Sequence, residues 1–413
     1  MPRLLAKGVN AERLERSLAA LSAIGGLESG AVRRLAFTAE DIEARTALCS
    51  WMEAASMTVR IDAGGNLIGR YSGLEDDLPV LATGSHIDTV PSGGRYDGAL
   101  GVMAGLEVIR SLHGRRERLR HPIELIAFAD EESTMVGCKS MAGLASADSL
   151  AYTTSIGEPI ERCLKRIGGN WGRLREAARS PASLAGFIEL HVEQGGVLEA
   201  RGHAIGVVEG VVGQQRLTIS VNGLANHAGT TPMHLRKDAM TAAARVVLAI
   251  EALARNHPGD PVATVGKMQV WPNAANIVPG RVDMTVDMRD LSLTVLDAMV
   301  ADLHLRLTRI AGRTGTRITM TPQFSVKPTP AEPLIRQVIA DAAADLGLSH
   351  SSLPSRASHD SQEIGRITPM GMIFVPSRGG LSHSCEEFTS PQQCADGAAV
   401  LLETLRRLDR QFD

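Results

Sequence analysis

The chain has 413 residues, a formal net charge of −3 and 44% hydrophobic residues, which predicts a soluble globular protein long enough for two domains. Lys and Arg are not clustered and no apolar run approaches the length of a membrane span, so nucleic-acid binding and membrane insertion are not expected. Met1–Lys7 precedes no apolar segment of the signal-peptide kind. The five cysteines are widely spaced without a C-x-x-C motif, which favours a reducing, cytoplasmic location.

The first predicted elements are helices that alternate with short strands. Asn10 is suited to cap a helix over Glu12–Ala23. Short apolar runs predict buried strands, and apolar residues spaced by about 3.6 predict helices. The predicted strands are Val80–Thr83, Ile123–Ala129, Phe187–Leu190 and Met372–Val375, and the predicted helices are Ala99–Leu112 and Leu334–Leu346. This alternation favours an α/β sheet with parallel strands and helices on both faces.

The stretch from about residue 214 to 324 has a different pattern. It predicts, in order, the strand Gln215–Val221, the helix Asp238–Arg255, the strands Thr264–Val270 and Val282–Met288, the helix Leu293–Ala311 and the strand Thr316–Thr321. The order β-α-β-β-α-β is that of the ferredoxin-like fold. We therefore expect a main domain of residues 1–212 and 327–413, interrupted by an inserted α+β domain of residues 213–326.

Five clusters of acidic or imidazole residues fall at or just beyond predicted strand ends. They are Gly84–Thr89, Gly93–Gly98, Asp130–Glu132, Glu189–Gly195 and Gly380–Ser384. Sites in open α/β sheets gather at the carboxyl ends of the strands. Imidazole and carboxylate together suit zinc, and also manganese, cobalt or nickel.

Each cluster taken alone has an ordinary structural explanation. His86 fits a structural histidine after a strand, and Asp97-Gly98 fits a turn. The adjacent acids Glu131 and Glu132 fit a solvated loop, although two carboxylates beside a buried sheet edge usually have partners. Five clusters at one predicted edge favour a metal site over five unrelated turns.

These motifs resemble those of the zinc-dependent amidohydrolases related to carboxypeptidase G and the aminoacylases. Within that group they are most similar to the N-carbamoyl-L-amino-acid hydrolases, allantoate amidohydrolases and β-ureidopropionases, and the similarity extends from about residue 10 to 410. The segment Glu189–Gly195 reproduces the motif E-x-H-x-E-Q-G of that branch. The resemblance implies a mixed-sheet catalytic domain of the phosphorylase/hydrolase kind, with the inserted domain serving as a dimerisation domain or lid.

The resemblance also implies a centre of two divalent metal ions, with Zn²⁺ expected first. Asp97 would bridge the ions, His86 and His191 would complete one site, and Glu132 and His383 the other. Asp88 would orient the ring of His86 through its second nitrogen. Glu131 would be the general base that takes a proton from the attacking water and passes it to the leaving nitrogen. Because side chains alternate along a strand, Glu131 could face the water while Glu132 faces the metal.

The inserted domain contains further residues that match family positions. His227, in Gly223–Met233, resembles a histidine that donates to the oxyanion across a subunit interface, which implies a homodimer. Asn276 and Arg289 match positions that hold the substrate carboxylate, a task suited to the planar fork of arginine. Alternatively, Arg289 pairs only with Asp287 or Asp290 at a strand end.

Other expected substrate contacts lie in the main domain, and two segments there depart from the family pattern. Gln194 and Gly380 are expected to contact the substrate. The segment Ser133–Ser140 is shorter than in relatives and lacks an arginine, and in Ser355–Ser361 two glycines are replaced by Arg356 and Ser358. Arg356 is expected to contact a larger or more anionic substrate.

Three readings of the function follow from these residues. The first is hydrolysis of an N-carbamoyl-L-amino acid or related ureido acid, which releases ammonia, carbon dioxide and the amino acid. The second is an N-acyl-L-amino-acid deacylase or dipeptidase that uses the same centre, and the altered segments keep it open. The third is a catalytically silent binding protein, which the presence of Glu131 and of all five ligand positions disfavours.

Overall fold

The structure is a computed structural model that describes residues 8–412. The expectation about the start of the chain, Met1–Lys7, lies outside the described residues. The strands are β1 Thr58–Ile61, β2 Leu67–Tyr71, β3 Val80–His86, β4 Ile123–Phe128, β5 Leu184–Val192, β6 Ile205–Val211, β7 Gly213–Asn222, β8 Asn226–His227, β9 Val262–Trp271, β10 Ile277–Val278, β11 Arg281–Asp290, β12 Arg317–Val326, β13 Thr329–Pro330, β14 His350–Ser355 and β15 Met370–Val375. The α-helices are α1 Ala11–Ala23, α2 Ala39–Ala54, α3 Ala99–Gly114, α4 Val136–Met141, α5 Ile160–Arg166, α6 Val197–Arg201, α7 Ala239–Asn256, α8 Leu293–Thr314, α9 Pro333–Asp345, α10 Asp360–Ile364 and α11 Pro391–Leu408.

The described chain divides into two compact units, one up to Val211 and from Pro330 onward, the other Val212–Thr329. These divisions differ from the expected domain boundaries by one residue at the first junction and three at the second. Every strand and helix predicted from the sequence is present, with ends that differ by a few residues. The side chain of Asn10 caps α1 as expected, by accepting a hydrogen bond from the N–H of Arg13.

The larger unit is built on one mixed sheet. Its strand order is β1-β2-β4-β3-β5-β15-β6-β13, with β14 beside β6. The central strands β4, β3, β5 and β15 run parallel to one another, so their carboxyl ends meet at one edge. β3, β4 and β15 are buried along their whole length, and β5 is buried except at Ala185. The helices α1, α3 and α11 pack over one face of the sheet, and α4 and α10 lie over the other.

The smaller unit is a four-stranded antiparallel sheet with two helices. The strand order β12-β7-β11-β9 and the sequence order β7-α7-β9-β11-α8-β12 are those of the ferredoxin-like arrangement. Apolar residues of α7 and α8 pack against alternate side chains of β7 and β11. Among the described residues, no helix has the length and apolar character needed to cross a membrane.

Candidate metal centre

Two buried histidines stand at the carboxyl ends of neighbouring parallel strands. His86 is the last residue of β3, and His191 is the next-to-last residue of β5. Nδ1 of His86 lies 2.9 Å from the backbone oxygen of Asp88, and Nδ1 of His191 lies 2.8 Å from that of Val192. A ring that donates from Nδ1 keeps a lone pair on Nε2 when it is neutral. Both rings therefore offer Nε2 as a metal ligand.

The carboxylate of Asp97 lies between two groups of donor atoms. Its Oδ1 is 3.1 Å from Nε2 of His191 and 3.7 Å from Nε2 of His86, whereas its Oδ2 is 3.2 Å from Nε2 of His383. Nε2 of His383 is also 3.5 Å from Oε1 of Glu132. Ligand atoms around a tetrahedral ion with bonds of about 2.0–2.1 Å stand about 3.3 Å apart. Both groups therefore have a spacing that could hold a metal ion, and they share Asp97.

Negative charge is in excess at this edge of the sheet. Within the described part of the chain, the ion-pair partners of Asp97, Glu131 and Glu132 are histidines. Burial raises the pKa of the Glu131 carboxyl well above its usual range and that of Glu132 to about 7. Buried carboxylates that have neither Lys nor Arg as a partner bind cations or take up protons. The residues present therefore fit divalent cations.

Asp88 contacts the two glutamates with its carboxylate and His86 with its backbone. Its Oδ1 and Oδ2 accept hydrogen bonds from the N–H groups of Glu131 and Glu132, at 3.4 and 3.2 Å. The carboxylate is 3.8 Å from Nδ1 of His86, too far for a hydrogen bond. The contact of Asp88 with the second ring nitrogen of His86 is therefore made by its backbone oxygen and not by its carboxylate, and its role in orienting the ring stays a prediction.

Glu131 and Glu132 lie in a turn rather than in a strand. The strand β4 ends two residues before Asp130, and Asp130 has a φ of 57°, a left-handed conformation that breaks an extended chain. The alternation of strand side chains is thus the wrong explanation for their different partners, His86 for Glu131 and His383 for Glu132. The hydrogen bonds to Asp88 fix this turn, and Oε2 of Glu131 lies 3.7 Å from Nε2 of His86.

The other acidic residues of Glu189–Gly195 support the local structure. Glu189 is fully buried and accepts hydrogen bonds from Oγ of Ser85 at 2.6 Å and from the N–H of Ser361 at 3.0 Å. It thereby joins β3, β5 and α10 behind the histidines. Glu193 accepts from two N–H groups in the first turn of α6, at 2.7 and 2.9 Å, where a carboxylate satisfies unpaired donors.

Gln194, expected to contact the substrate, contacts Asp97. Its Nε2 donates to Oδ2 of Asp97 at 2.9 Å, and its backbone φ of 57° is left-handed. The side-chain oxygen Oε1 is buried without a hydrogen-bond partner among the described residues. A strained backbone and an unpaired buried acceptor are features of binding sites. The substrate contact itself stays a prediction.

Gly380 occupies a position that only glycine fits. Its φ is 67°, and a Cβ added there would lie 2.7 Å from the backbone nitrogen of Gly196. The absence of a side chain lets the loop that carries His383 pack against the loop that carries Gln194. The expected contact of Gly380 with the substrate stays a prediction.

Glu387 and Ser382 also belong to the centre; Ser382 lies in the predicted cluster Gly380–Ser384 without an expected role, and Glu387 lies outside the predicted clusters. One oxygen of the buried Glu387 carboxylate accepts the N–H groups of Tyr96 and Asp97, at 2.8 and 3.1 Å. Oγ of Ser382 lies 3.0 Å from the other oxygen and 2.9 Å from Oδ2 of Asp97. Nothing in the sequence distinguishes Glu387 from its neighbour Glu386, since its partners lie about 290 residues away.

His359 lies beside the histidine side of the centre, and Arg356 precedes it in the same loop. The ring of His359 is edge-on to that of His191, with centroids 4.5 Å apart, and its Nε2 is 2.7 Å from Oγ of Ser355. Burial and the nearby His191 lower the pKa of His359 well below its usual range. Arg356 is half-buried between β14 and α10, and its contact with a substrate stays a prediction.

The smaller unit brings His227 and Asn276 together. His227 pairs with Ile277 in the short β8–β10 ladder, and the N–H of Ala228 donates to the backbone oxygen of Asn276 at 2.9 Å. Nδ1 of His227 accepts the N–H groups of Gly229 and Thr230, at 3.1 and 3.2 Å. The neutral ring must then have its proton on the exposed Nε2, which makes His227 a hydrogen-bond donor.

Arg289 lies near the other end of β11. Its Nε donates to Oδ1 of Asp287 at 2.8 Å, which is the contact that the alternative reading had foreseen. Asp287 also binds Arg216, and these partners lower the pKa of the half-buried Asp287 carboxyl against the opposing effect of burial. The ion pair fixes the direction of the guanidinium group. A role of Arg289 in binding substrate stays a prediction.

A comparison with protein-family models matches residues 82–407 to the peptidase family M20/M25/M40. This range includes all five candidate ligands and Glu131. The chain belongs to the peptidase family M20/M25/M40.

Individual proteins resemble this chain over nearly its whole length. The N-carbamoyl-L-amino acid amidohydrolase of Geobacillus stearothermophilus is 39% identical, over 97% of this chain and 99% of that protein. The allantoate amidohydrolase of Bacillus subtilis is 34% identical, over 94% and 95%. A crystal structure of an amidase of the hydantoinase/carbamoylase family from Burkholderia multivorans is 37% identical, with a TM-score of 0.90 over 97% and 98%.

Proposed function

We propose that this chain is a metal-dependent amidohydrolase that cleaves the C–N bond of an N-carbamoyl-L-amino acid or a related ureido acid. The products are ammonia, carbon dioxide and the amino acid. The observation that carries the proposal is the position of Asp97, whose two oxygens face two groups of imidazole and carboxylate donors beside Glu131. The relatives named for N-carbamoyl-L-amino acids and allantoate support a ureido substrate.

His86, His191 and Asp97 would hold one divalent ion, and Asp97, Glu132 and His383 the other. Zn²⁺ is the first candidate, with Mn²⁺, Co²⁺ or Ni²⁺ also compatible with this donor set. Such ions supply Lewis acidity towards a carbonyl oxygen and towards water.

Glu131 acts as the general base in this proposal. The carboxylate of Glu131 lies beside His86, and the backbone N–H of Glu131 donates to Asp88. These contacts hold Glu131 next to the centre, although it is not one of the five proposed ligands. It accepts a proton from the attacking water at a carboxylate oxygen. It then donates that proton to the leaving nitrogen, which departs as ammonia or an amine.

His227, Asn276 and Arg289 hold the substrate in this proposal. The Nε2–H of His227 is available to stabilise the negative oxygen of the tetrahedral intermediate. The guanidinium group of Arg289, aligned by Asp287, would bind the substrate carboxylate together with Asn276. In the larger unit, Gln194, Gly380 and Arg356 are the proposed contacts with the remainder of the substrate.

The positions of these residues support a homodimer. Asn276 and His227 lie beyond one end of β11, the end where Arg281 pairs with Asn222. Arg289 lies at the opposite end of β11, where it pairs with Gln214. Eight residues of β-strand extend about 27 Å, so one copy of the smaller unit cannot place both groups on one small substrate. A second copy would supply His227 and Asn276 to the site that uses Arg289, and the smaller unit would be a dimerisation domain.

A cytoplasmic location is part of the proposal. All five cysteines are free of disulfide bonds, and three of them are buried. Reduced, unpaired cysteines are typical of proteins in a reducing compartment.

The experiment that tests the function is ammonia release from a panel of substrates. The panel contains N-carbamoyl-L-amino acids, 3-ureidopropionate and allantoate, together with N-acetyl and N-formyl amino acids scored for free amine. It is run on enzyme loaded with Zn²⁺ or Mn²⁺ and repeated after chelation. Ammonia release that chelation abolishes is expected. Free amine from the acyl substrates without ammonia would replace the ureido proposal with the deacylase or dipeptidase alternative.

A further inference from the structure

A second cavity in the larger unit lies between α1, α2 and the C-terminal end of α3. Its volume is about 490 Å³, and the residues relevant to binding are Arg13, Arg16, Trp51, Arg110 and His113. α3 starts directly after Asp97 and Gly98, and its 16 residues extend about 24 Å to this cavity. The cavity is therefore separate from the candidate metal centre. Its size is within the range of small-molecule sites.

Glu107 is the buried carboxylate beside the arginines of this cavity. Glu107 is 1% exposed, and its two oxygens accept from Nε and Nη2 of Arg13, at 2.6 and 2.8 Å. The same carboxylate accepts from the N–H of Asn10 and from Oγ of Ser111, each at 2.8 Å. Its ion pair within the described residues is with Arg13, and its charge also acts on Arg110 over a longer distance.

Arg110 has a half-buried charge without a carboxylate partner. Among the described residues, Arg110 donates from Nη1 to Oγ of Ser17 at 2.9 Å, and no described carboxylate lies within ion-pair distance of it. Burial and the neighbouring Arg13 lower the pKa of Arg110, and the charge of Glu107 opposes them only in part. A guanidinium group has five N–H donors. Donors that are partly buried without a hydrogen-bond acceptor cost free energy. An anion in the cavity would remove that cost.

The remaining groups specify the chemistry of the ligand. Arg16 is exposed one helical turn from Arg13, and among the described residues it has no ion-pair partner. Trp51 is half-buried, packs against the main core and borders the same cavity. An indole ring at the edge of a cationic pocket is suited to stack on a flat ring. Two arginines without a described carboxylate at ion-pair distance match the charge of a phosphate dianion.

We propose that this cavity binds a nucleoside monophosphate. The phosphate lies between Arg16 and Arg110, and the base stacks on Trp51. His113, at the end of α3, lines the cavity beside the phosphate position. The ordinary alternative is that these arginines are solvated surface charges; it explains Arg16 but not the half-buried Arg110.

The test is isothermal titration of the metal-loaded protein with adenosine monophosphate, adenosine and inorganic phosphate at low salt. We expect adenosine monophosphate to bind with a Kd below about 1 mM, and each separate part to bind about 10-fold more weakly or worse. Arg110→Gln should weaken adenosine monophosphate about 10-fold or more, since it removes a charge-assisted hydrogen bond. Trp51→Leu should weaken adenosine monophosphate about 5-fold or more, yet leave inorganic phosphate unchanged.

Two further variants make the result decisive. Arg16→Gln changes an exposed residue without a described ion pair, so it tests the phosphate position even if Arg110→Gln is unstable. Arg255→Gln, an exposed arginine paired with Glu251 in the other unit, is the matched control and should bind like the unchanged protein. Absence of binding up to about 1 mM, equal affinity for phosphate and adenosine monophosphate, or binding unaffected by the Arg16 and Arg110 variants would each overturn the proposal. The last result would place the nucleotide elsewhere, for example at the metal centre.

Discussion

The buried carboxylate of Glu387 holds the backbone of Asp97 in place. It accepts the Asp97 N–H at 3.1 Å and the adjacent Tyr96 N–H at 2.8 Å. A Cβ on Gly94 would lie 2.2 Å from this carboxylate, so the loop before Asp97 is closely wrapped around it. Because both oxygens of Asp97 face candidate metal ligands, Glu387 fixes the residue that the two proposed sites share.

The first prediction is that Glu387→Gln lowers metal affinity. The amide keeps the size of the side chain but loses the charge that attracts two backbone N–H groups. Loss of such a supporting partner typically costs about 10- to 100-fold in metal affinity. Competition with a chelator of known affinity measures the change. Glu386→Gln alters the exposed neighbouring residue and should leave the affinity unchanged; equal affinities in the two variants would rule out this role of Glu387.

The second prediction separates Glu131 from Glu132. Glu131→Gln should reduce kcat by about 10²- to 10⁴-fold, the usual contribution of a general base, while metal content stays the same. Glu132→Gln should instead reduce metal content, because it removes one of three donors from the site with His383. Metal analysis and steady-state kinetics on both variants provide the measurement. Loss of metal from Glu131→Gln would show that Glu131 is a ligand and not the base.

The third prediction tests whether His227 acts across a subunit interface. Glu131→Gln and His227→Ala should each be nearly inactive as homodimers. In a mixed dimer, one site combines an intact Glu131 with the partner's intact His227. Random exchange of subunits should therefore restore about a quarter of the full activity. A mixture that stays inactive after verified exchange would contradict a shared site.

The sequence was sufficient to predict the residues that stand at strand ends. His86, His191 and the neighbourhood of Asp97 could be located because apolar strands are easy to recognise and parallel strands align their carboxyl ends. The ferredoxin-like unit was predictable for the same reason, since its strands alternate clearly and its helices are long.

Contacts between distant loops could not be predicted in this way. The directions of Glu131 and Glu132 depend on the left-handed Asp130 and on the Asp88 carboxylate, not on strand alternation. Glu387 contacts Asp97 only because the loop before α3 packs against the loop before α11. Arg110 is half-buried only because α1, α2 and α3 pack together. Such positions have no local periodicity, so a single sequence contains no signal for them.

The last prediction concerns Asp41, a buried residue at the start of α2. Burial raises its pKa from 3.8 to about 6, in spite of Arg45 and a hydrogen bond from the N–H of Phe37. Its folded pKa is above its unfolded value, so its contribution to the free energy of unfolding is largest below about pH 4 and is lost as the pH rises to about 6. The loss amounts to about 3 kcal/mol, at about 1.4 kcal/mol for each pH unit.

Asp41→Asn removes this titration but keeps an oxygen that can accept the Phe37 N–H. Relative to the unchanged protein, the variant should therefore gain stability as the pH rises from about 4 to about 6, and the difference should level off above that range. Denaturant unfolding at a series of pH values, at constant metal content, measures the difference. Other carboxyl groups titrate in the same range, but they are common to both proteins and cancel in the comparison. A difference that stays constant from about pH 4 to 7 would mean that Asp41 is ionised in the folded protein, stabilised by Arg45 more strongly than burial opposes it.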